Sequence, residues 1–326
     1  METNGPPLET DPVHHGQMQL IKKSAALPSS AFRTLTGGLR RQLALTLREK
    51  VAGSDAADRA AVIWGADGPR WFGREDPIWR VHQDASMFVG GIRALLLQSL
   101  HPLAMAGVAG HSGYRGDPWG RLERTSRFLA TTTFGTIAHA EQAIEQVKQI
   151  HLRVRGKASD GRAYSASDPH LLDWVHLAEV DSFLRAYQLF GSAPLSPEDA
   201  DTYVRQTAGV AEKLGASASP TSVRELDERI EAFRPELTAS AESRDAAKFL
   251  LLTPPLPISA RPGYGLLAAG AVASLPGWAR RELPVPPPFI GWDAPSLMLG
   301  NAGAKIVRWA MSDAALENRP PAQNSA

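Results

Sequence analysis

The chain has 326 residues, of which 43% are hydrophobic and 21% charged, and its formal net charge is +1. This is ordinary globular composition, and without a basic stripe interleaved with aromatics it points to no nucleic-acid partner. Cysteine is absent, which excludes thiolate metal sites, iron–sulfur clusters, cysteine nucleophiles and disulfides; it also suits a reducing compartment, so the expected location is cytoplasmic.

Residues 1–28 are polar and punctuated by proline and glycine, and are expected to be a disordered tail. They lack the basic and apolar regions of a secretory signal. A basic amphipathic helix is predicted over 33–51, weakened by Gly37 and Gly38. A strongly apolar helix follows over 77–100, carrying Ile78, Val81, Ala85, Phe88, Ile92, Leu95 and Leu96 near helical spacing. Pro102 ends it by pushing His101 out of the helical region. A glycine-rich loop over 110–120 leads to Asp117 as cap and Pro118 as first helical residue of a helix to about 134. The next helix, 138–155, is closed by Gly156, and 157–169 reads as a loop or small hairpin. Asp168 and Pro169 open a helix to Phe190, and Ser196 and Pro197 open another. Further helices are expected over 221–233, 240–252, 263–278 and 294–311, the third between proline-rich spans. The fold class is therefore all-α, one domain of eight to ten helices over 29–312 with tails at 1–28 and 313–326. No run of 18 apolar residues occurs, so no spanning helix is expected, and the apolar stretch 264–278 reads as a buried helix. Peripheral membrane contact and oligomeric state are left open.

Two patterns carry chemistry. In "RLERTSRF", Arg121, Arg124, Thr125 and Phe128 fall at i, i+3, i+4 and i+7, one helical face. Two cations, a hydroxyl and an aromatic on one stripe suit a polar spot in an apolar cavity. In "AEQAIEQVKQIHLRVRG", Ala140, Ile144, Val147, His151 and Val154 form an apolar stripe, so His151 points inward. Two readings of His151 stand: a core histidine bonded to a carbonyl, or a metal ligand with one nitrogen tied to a carbonyl and the other offered to iron. The short turn "FGTIA" makes the two helices antiparallel neighbours whose apolar faces could enclose a flat cofactor such as haem.

Other sites are poorly matched. The Glu-x-x-His pairs of a di-iron bundle and the His-Glu-x-x-His of a zincin are absent. His82 and Asp84 match part of a facial triad, but on a predicted helix. His176 shares a stripe with Leu172, Val180, Phe183 and Tyr187 and reads as a packed histidine. His111 sits in the glycine-rich loop, which Arg115 and Asp117 tie to the next helix.

The pieces "ALLLQSLHPLAMAGVAGHSGYRGDPWGRLERT", "FGT" with "IHLRVRG", and "GRAYSASDPHLLDWVHLAEVDSFLRAY" occur in order over 76–191. This stretch resembles the catalytic domain shared by bacterial rubber oxygenases (latex clearing proteins) and MpaB-type oxygenases. The resemblance implies a globin-like helical fold holding haem b. It implies His151, in the family's H-x-x-V context, as axial iron ligand, with His101 as the alternative, and Phe128, Val147 and Val154 lining the cofactor. It implies a distal R-x-x-[KR]-T set at Arg121, Arg124 and Thr125, whose donors stabilise charge on bound oxygen. Rubber-cleaving members carry a lysine that can ligate iron where this chain has Arg124; a guanidinium has no lone pair to give, so that closed state is lost. The implied partners are dioxygen and an apolar, unsaturated, isoprenoid-like substrate. A haem peroxidase or oxidase, and a metal-free binder of apolar ligands, are the competing readings.

Overall fold

A computed structural model describes residues 56–111, 116–284 and 293–317, all within the unit spanning Ala44–Ala326. The tail expected over 1–28 and the helix expected over 33–51 lie outside the described residues. Among the described residues, thirteen α-helices and one two-stranded hairpin account for the regular structure: α1 Ala56–Gly65, α2 Pro77–His82, α3 Ser86–Gln98, α4 Pro102–His111, α5 Pro118–Phe134, α6 Ile137–His151, β1 Arg155–Lys157, β2 Ala163–Ser165, α7 Pro169–Phe190, α8 Pro197–Leu214, α9 Val223–Phe233, α10 Ala241–Leu252, α11 Arg261–Ser274, α12 Gly277–Glu282 and α13 Asp293–Glu317. Short 3₁₀ turns follow α9 (Arg234–Glu236) and precede α11 (Ile258–Ala260). The class is all-α, with more helices than the eight to ten expected.

Two of the extra helices arise where a single predicted helix is broken, and two more, α1 and α4, form on segments with no predicted helix. The 77–100 helix divides because the Asp84 carboxylate accepts from the Ser86 backbone N–H at 2.8 Å and so starts a new helix. Leu275 and Pro276 divide the 263–278 helix in the same way, since the residue before proline leaves the α region. Residues 102–111, unassigned from sequence, form α4. The last helix runs to Glu317 rather than 311.

The core is built on α7, the longest fully packed helix. Trp174, Leu177, Ala178, Val180, Phe183, Leu184, Ala186 and Phe190 are buried along it, as befits a central helix. Helix α3 lies against it through Val89, Leu96 and Leu97. At Gly90 an added Cβ would stand 2.9 Å from the Phe183 ring, so glycine permits the approach. Helices α11 and α13 meet even more closely: a Cβ on Gly300 would stand 2.5 Å from the Gly270 Cα. A charge pair sits inside this core. Arg93 is 2% exposed, and its guanidinium reaches the Asp181 carboxylate at 2.7 Å, the Ser182 hydroxyl at 2.7 Å and the Ser274 carbonyl at 3.1 Å, joining α3, α7 and the end of α11.

Among the described residues no single helix is long and apolar enough to cross a membrane. The pair α3 and α4 together reach that composition, but they are bent by 108° at their junction, and α3 is part of the core.

Candidate functional site

The α5–α6 hairpin carries the residues singled out from sequence. Asp117 caps α5 by accepting from the Gly120 N–H at 2.9 Å, with Pro118 in the first turn. Gly135 and Thr136 are the connection, and the Thr136 hydroxyl caps α6. A two-residue link forces the helices antiparallel, and they pack directly on each other. At 1.5 Å of rise per residue, Arg121 and His151 each lie about 20 Å from the turn, so both stand level at the open end of the hairpin. By the same count Val147 is level with Arg124.

His151 is the last residue of α6 and is partly buried. Its Nδ1 is buried without a hydrogen-bond partner. Burial pushes its pKa below the ordinary histidine range, which keeps the ring neutral at pH 7. Helix α6 stops short of the predicted 155 because residues 155–157 pair with 163–165 in the hairpin. Val154 therefore lies past the helix, in the turn where its N–H donates to the His151 carbonyl at 3.1 Å, and it does not continue the apolar stripe as a helical residue. Val147 and Phe128 are partly buried within their helices.

The Arg121–Phe128 face is not uniform. Desolvation, and then the neighbouring Arg124 charge, holds the Arg121 guanidinium below the ordinary arginine range, the mark of a cation drawn into the protein. Arg124 and Thr125 are exposed. Arg124 pairs with the Asp117 carboxylate at 3.2 Å, and the Thr125 hydroxyl donates to the Arg121 carbonyl at 3.0 Å. The structure thus brings Arg121 and His151 to one end of one hairpin and leaves Arg124 and Thr125 facing outward.

Past His151 the chain enters the β-hairpin, against which α4 packs. Tyr164 of β2 is buried against Gly107, Gly110 and Gly156, and a side chain at Gly110 or Gly156 would collide with its hydroxyl. Its hydroxyl lies 3.3 Å from Nδ1 of His111, which is exposed at the end of α4. Helix α4 is apolar in sequence, yet Met105 is its only buried residue; Leu103, Ala104, Ala106, Val108 and Ala109 are partly exposed. Helix α4 therefore presents a partly exposed apolar surface. Arg115 lies outside the described residues.

Other histidines have different surroundings. His82 bonds the Thr133 hydroxyl at 2.7 Å and lies 3.3 Å from the Tyr203 hydroxyl, and burial pushes its pKa down to about 3. Asp84 is paired with Arg308 at 2.8 Å. The two residues of the "HQD" pattern thus have separate structural partners. His176 has a buried Nε2 without a partner and is pushed down to about 4 by burial. Glu179, one turn on, is pushed up to about 7 by burial, a feature no sequence pattern flagged. His101 is buried between the rings of Trp174 and Phe233. A cavity of about 500 Å³ opens beside Arg93 and Asp181, bordered by Arg185, Gln188, Ile230 and Trp278, and involves none of the predicted site residues.

Comparison with known proteins adds one finding. The family described as the ER-bound oxygenase mpaB/B'/rubber oxygenase catalytic domain matches residues 79–309, from α2 into α13. No curated protein and no solved structure matches. The match spans most of the chain and includes the whole α5–α6 hairpin with Arg121 and His151. The chain belongs to the mpaB/rubber oxygenase catalytic-domain family, a family of oxygenases.

Proposed function

We propose that this chain is a haem b-dependent oxygenase acting with dioxygen on an apolar, unsaturated, isoprenoid-like small molecule. His151 is the axial ligand, and Arg121, Arg124 and Thr125 belong to the opposite side. The domain bounds 29–312 and a cytoplasmic location are part of this reading. When bound, haem supplies the iron at which dioxygen is activated.

The observation that carries the reading is the orphaned, buried Nδ1 of His151 level with the desolvated Arg121 guanidinium. A neutral imidazole with an unpartnered nitrogen is the ligand form. A guanidinium in a water-poor setting donates hydrogen bonds at low dielectric, where they stabilise developing negative charge far better than in water. Asp117 engages Arg124 and the Thr125 hydroxyl donates within the helix, whereas Arg121 is the desolvated cation of the set and is assigned as the principal donor. Phe128, Val147 and Val154 give the apolar boundary, and the half-exposed face of α4 receives the substrate chain. Arg124 lacks the lone pair with which a lysine could close the iron.

Oxidative cleavage of one alkene by one dioxygen gives two carbonyls and needs no external reductant. Incubation with a polyisoprene oligomer under ¹⁸O₂ should place one labelled oxygen at each new chain end. Product without label would exclude oxygenation and leave the peroxidase or oxidase reading. Lipid co-purifying with iron-free protein would favour the metal-free binder.

A further inference from the structure

A second cluster of ligating groups is built from residues outside the α5–α6 hairpin. His101 directly precedes α4, His170 is the second residue of α7, and Glu236 ends the 3₁₀ turn after α9. His170 Nε2 lies 2.9 Å from both Glu236 carboxylate oxygens. His101 Nε2 lies 3.4 Å from Glu236 Oε2. One ligand atom from each residue falls within 4.8 Å of the others.

We propose that His101, His170 and Glu236 form a binding site for one divalent transition-metal ion of the Zn²⁺ type, separate from the haem site. The first argument is His101. Its side chain is 2% exposed, and both ring nitrogens are buried without a hydrogen-bond partner. Buried polar groups are nearly always satisfied, and an imidazole leaving both nitrogens idle is costly. The polar atom facing Nε2 is the Glu236 carboxylate oxygen at 3.4 Å, too poorly aligned for a hydrogen bond.

The second argument is spacing. A tetrahedral ion with bonds of about 2.0–2.1 Å sets its ligand atoms about 3.3 Å apart. The separations of 2.9 and 3.4 Å at Glu236 bracket that value. Two imidazoles and one carboxylate are a three-ligand set that leaves a fourth position for water. Here that position faces solvent, because His170 and Glu236 are about half exposed while His101 closes the inner side. Phe233 fixes the outer imidazole by stacking on His170, with centroids 4.5 Å apart and planes 24° from parallel. Arg162 is the cation near both His101 and Glu236, and Asp160 pairs with it at 2.7 Å. An ion held here would pin the starts of α4 and α7 to the end of α9. His101 would then be committed to this site and unavailable to haem.

The test uses the full purified chain, stripped with EDTA, desalted and dialysed against micromolar Zn²⁺, with zinc and iron counted by mass spectrometry. The expected result is one zinc per chain over the double variant His170→Asn/Glu236→Gln, with iron unchanged between the two. Thermal unfolding should shift upward with Zn²⁺ in the wild type and stay in place in the double variant, because only the native state holds the ion. The exposed pair is changed rather than His101 so that the core stays intact, which circular dichroism checks. Equal zinc uptake by the wild type and the folded double variant would overturn the proposal. Because iron is read separately, this outcome leaves the haem assignment untouched, and loss of haem leaves the zinc count meaningful.

Discussion

Arg121 and Arg124 sit one helical turn apart with the same charge, yet their surroundings differ. One is desolvated, the other exposed and paired with Asp117. Replacing a donor that acts on developing charge in a water-poor site costs about 10²–10³ in turnover. Arg121→Gln should therefore lower kcat on a polyisoprene oligomer by that factor, and Arg124→Gln by less than about tenfold. Equal losses would show that the exposed arginine turns inward in the working enzyme. Arg93 tests a different role. Removing one partner of a buried ion pair costs about 3–5 kcal/mol, so Arg93→Ala should lose that much in urea unfolding; a loss under about 1 kcal/mol would mean that Asp181 is satisfied without it. The two arginines were unequally legible in sequence. Arg121 stood out because a polar stripe recurred at helical spacing. Arg93 was hidden, since a lone arginine in an apolar helix carries no sign of Asp181, its partner on α7. His101, His170 and Glu236 were hidden for the same reason: no local spacing links them.

At the scale of elements, the helix starts were the most legible feature. Asp117–Pro118, Asp168–Pro169 and Ser196–Pro197 each cap a helix at the expected residue, because a short polar side chain accepts the first free N–H and proline suits the first turn. Breaks and ends depended on tertiary partners. Asp84 divides a helix in a turn that Arg308 of α13 also holds. Helix α6 ends at His151 because β1 claims 155–157, which is why Val154 left the predicted stripe. The Gly270–Gly300 crossing offers a direct test of packing. Gly300→Ala would bring its Cβ to 2.5 Å from the Gly270 Cα, and overpacking of that kind costs about 1–3 kcal/mol. Gly265→Ala, on the same α11 but with nothing within 4 Å of its Cβ, should gain up to about 1 kcal/mol from helix propensity. Chemical denaturation of the two variants should give opposite signs; a stable Gly300→Ala would mean that α11 and α13 separate without cost.

Across the whole molecule, buried titratable groups set the pH response. His82 and His176 are pushed down to about 3 and about 4 by burial. The unfolded chain takes up these protons near pH 6.5 while the folded chain does not, so stability falls as pH drops from 6.5 toward 4. Each histidine contributes at most about 1.4 kcal/mol per pH unit in that window. Glu179, pushed up to about 7, acts in the opposite sense: the folded chain keeps a proton that the unfolded chain releases near 4.5, so its contribution falls as pH rises from 4.5 to 7. His101 and His151, also lowered by burial, act in the same sense as His82 and His176, so four histidines oppose one carboxyl and the net effect between pH 6 and 4.5 is acid destabilisation. Glu179→Gln should steepen that loss in urea titrations at pH 6 and 5; a shallower loss would contradict the assignment. The family and the helical class were legible at this scale because ordered motifs span a third of the chain. The apolar wall of α4 was not, because composition alone does not tell a buried helix from one left half open.

The central claim concerns His151, and the absorption spectrum of the purified protein from haem-replete cells tests it most directly. The wild type should be red, with a Soret band and one iron per chain, and His151→Ala should lose both while keeping its helical circular dichroism. A colourless, iron-free wild type, or a His151→Ala protein with full haem, would contradict the account.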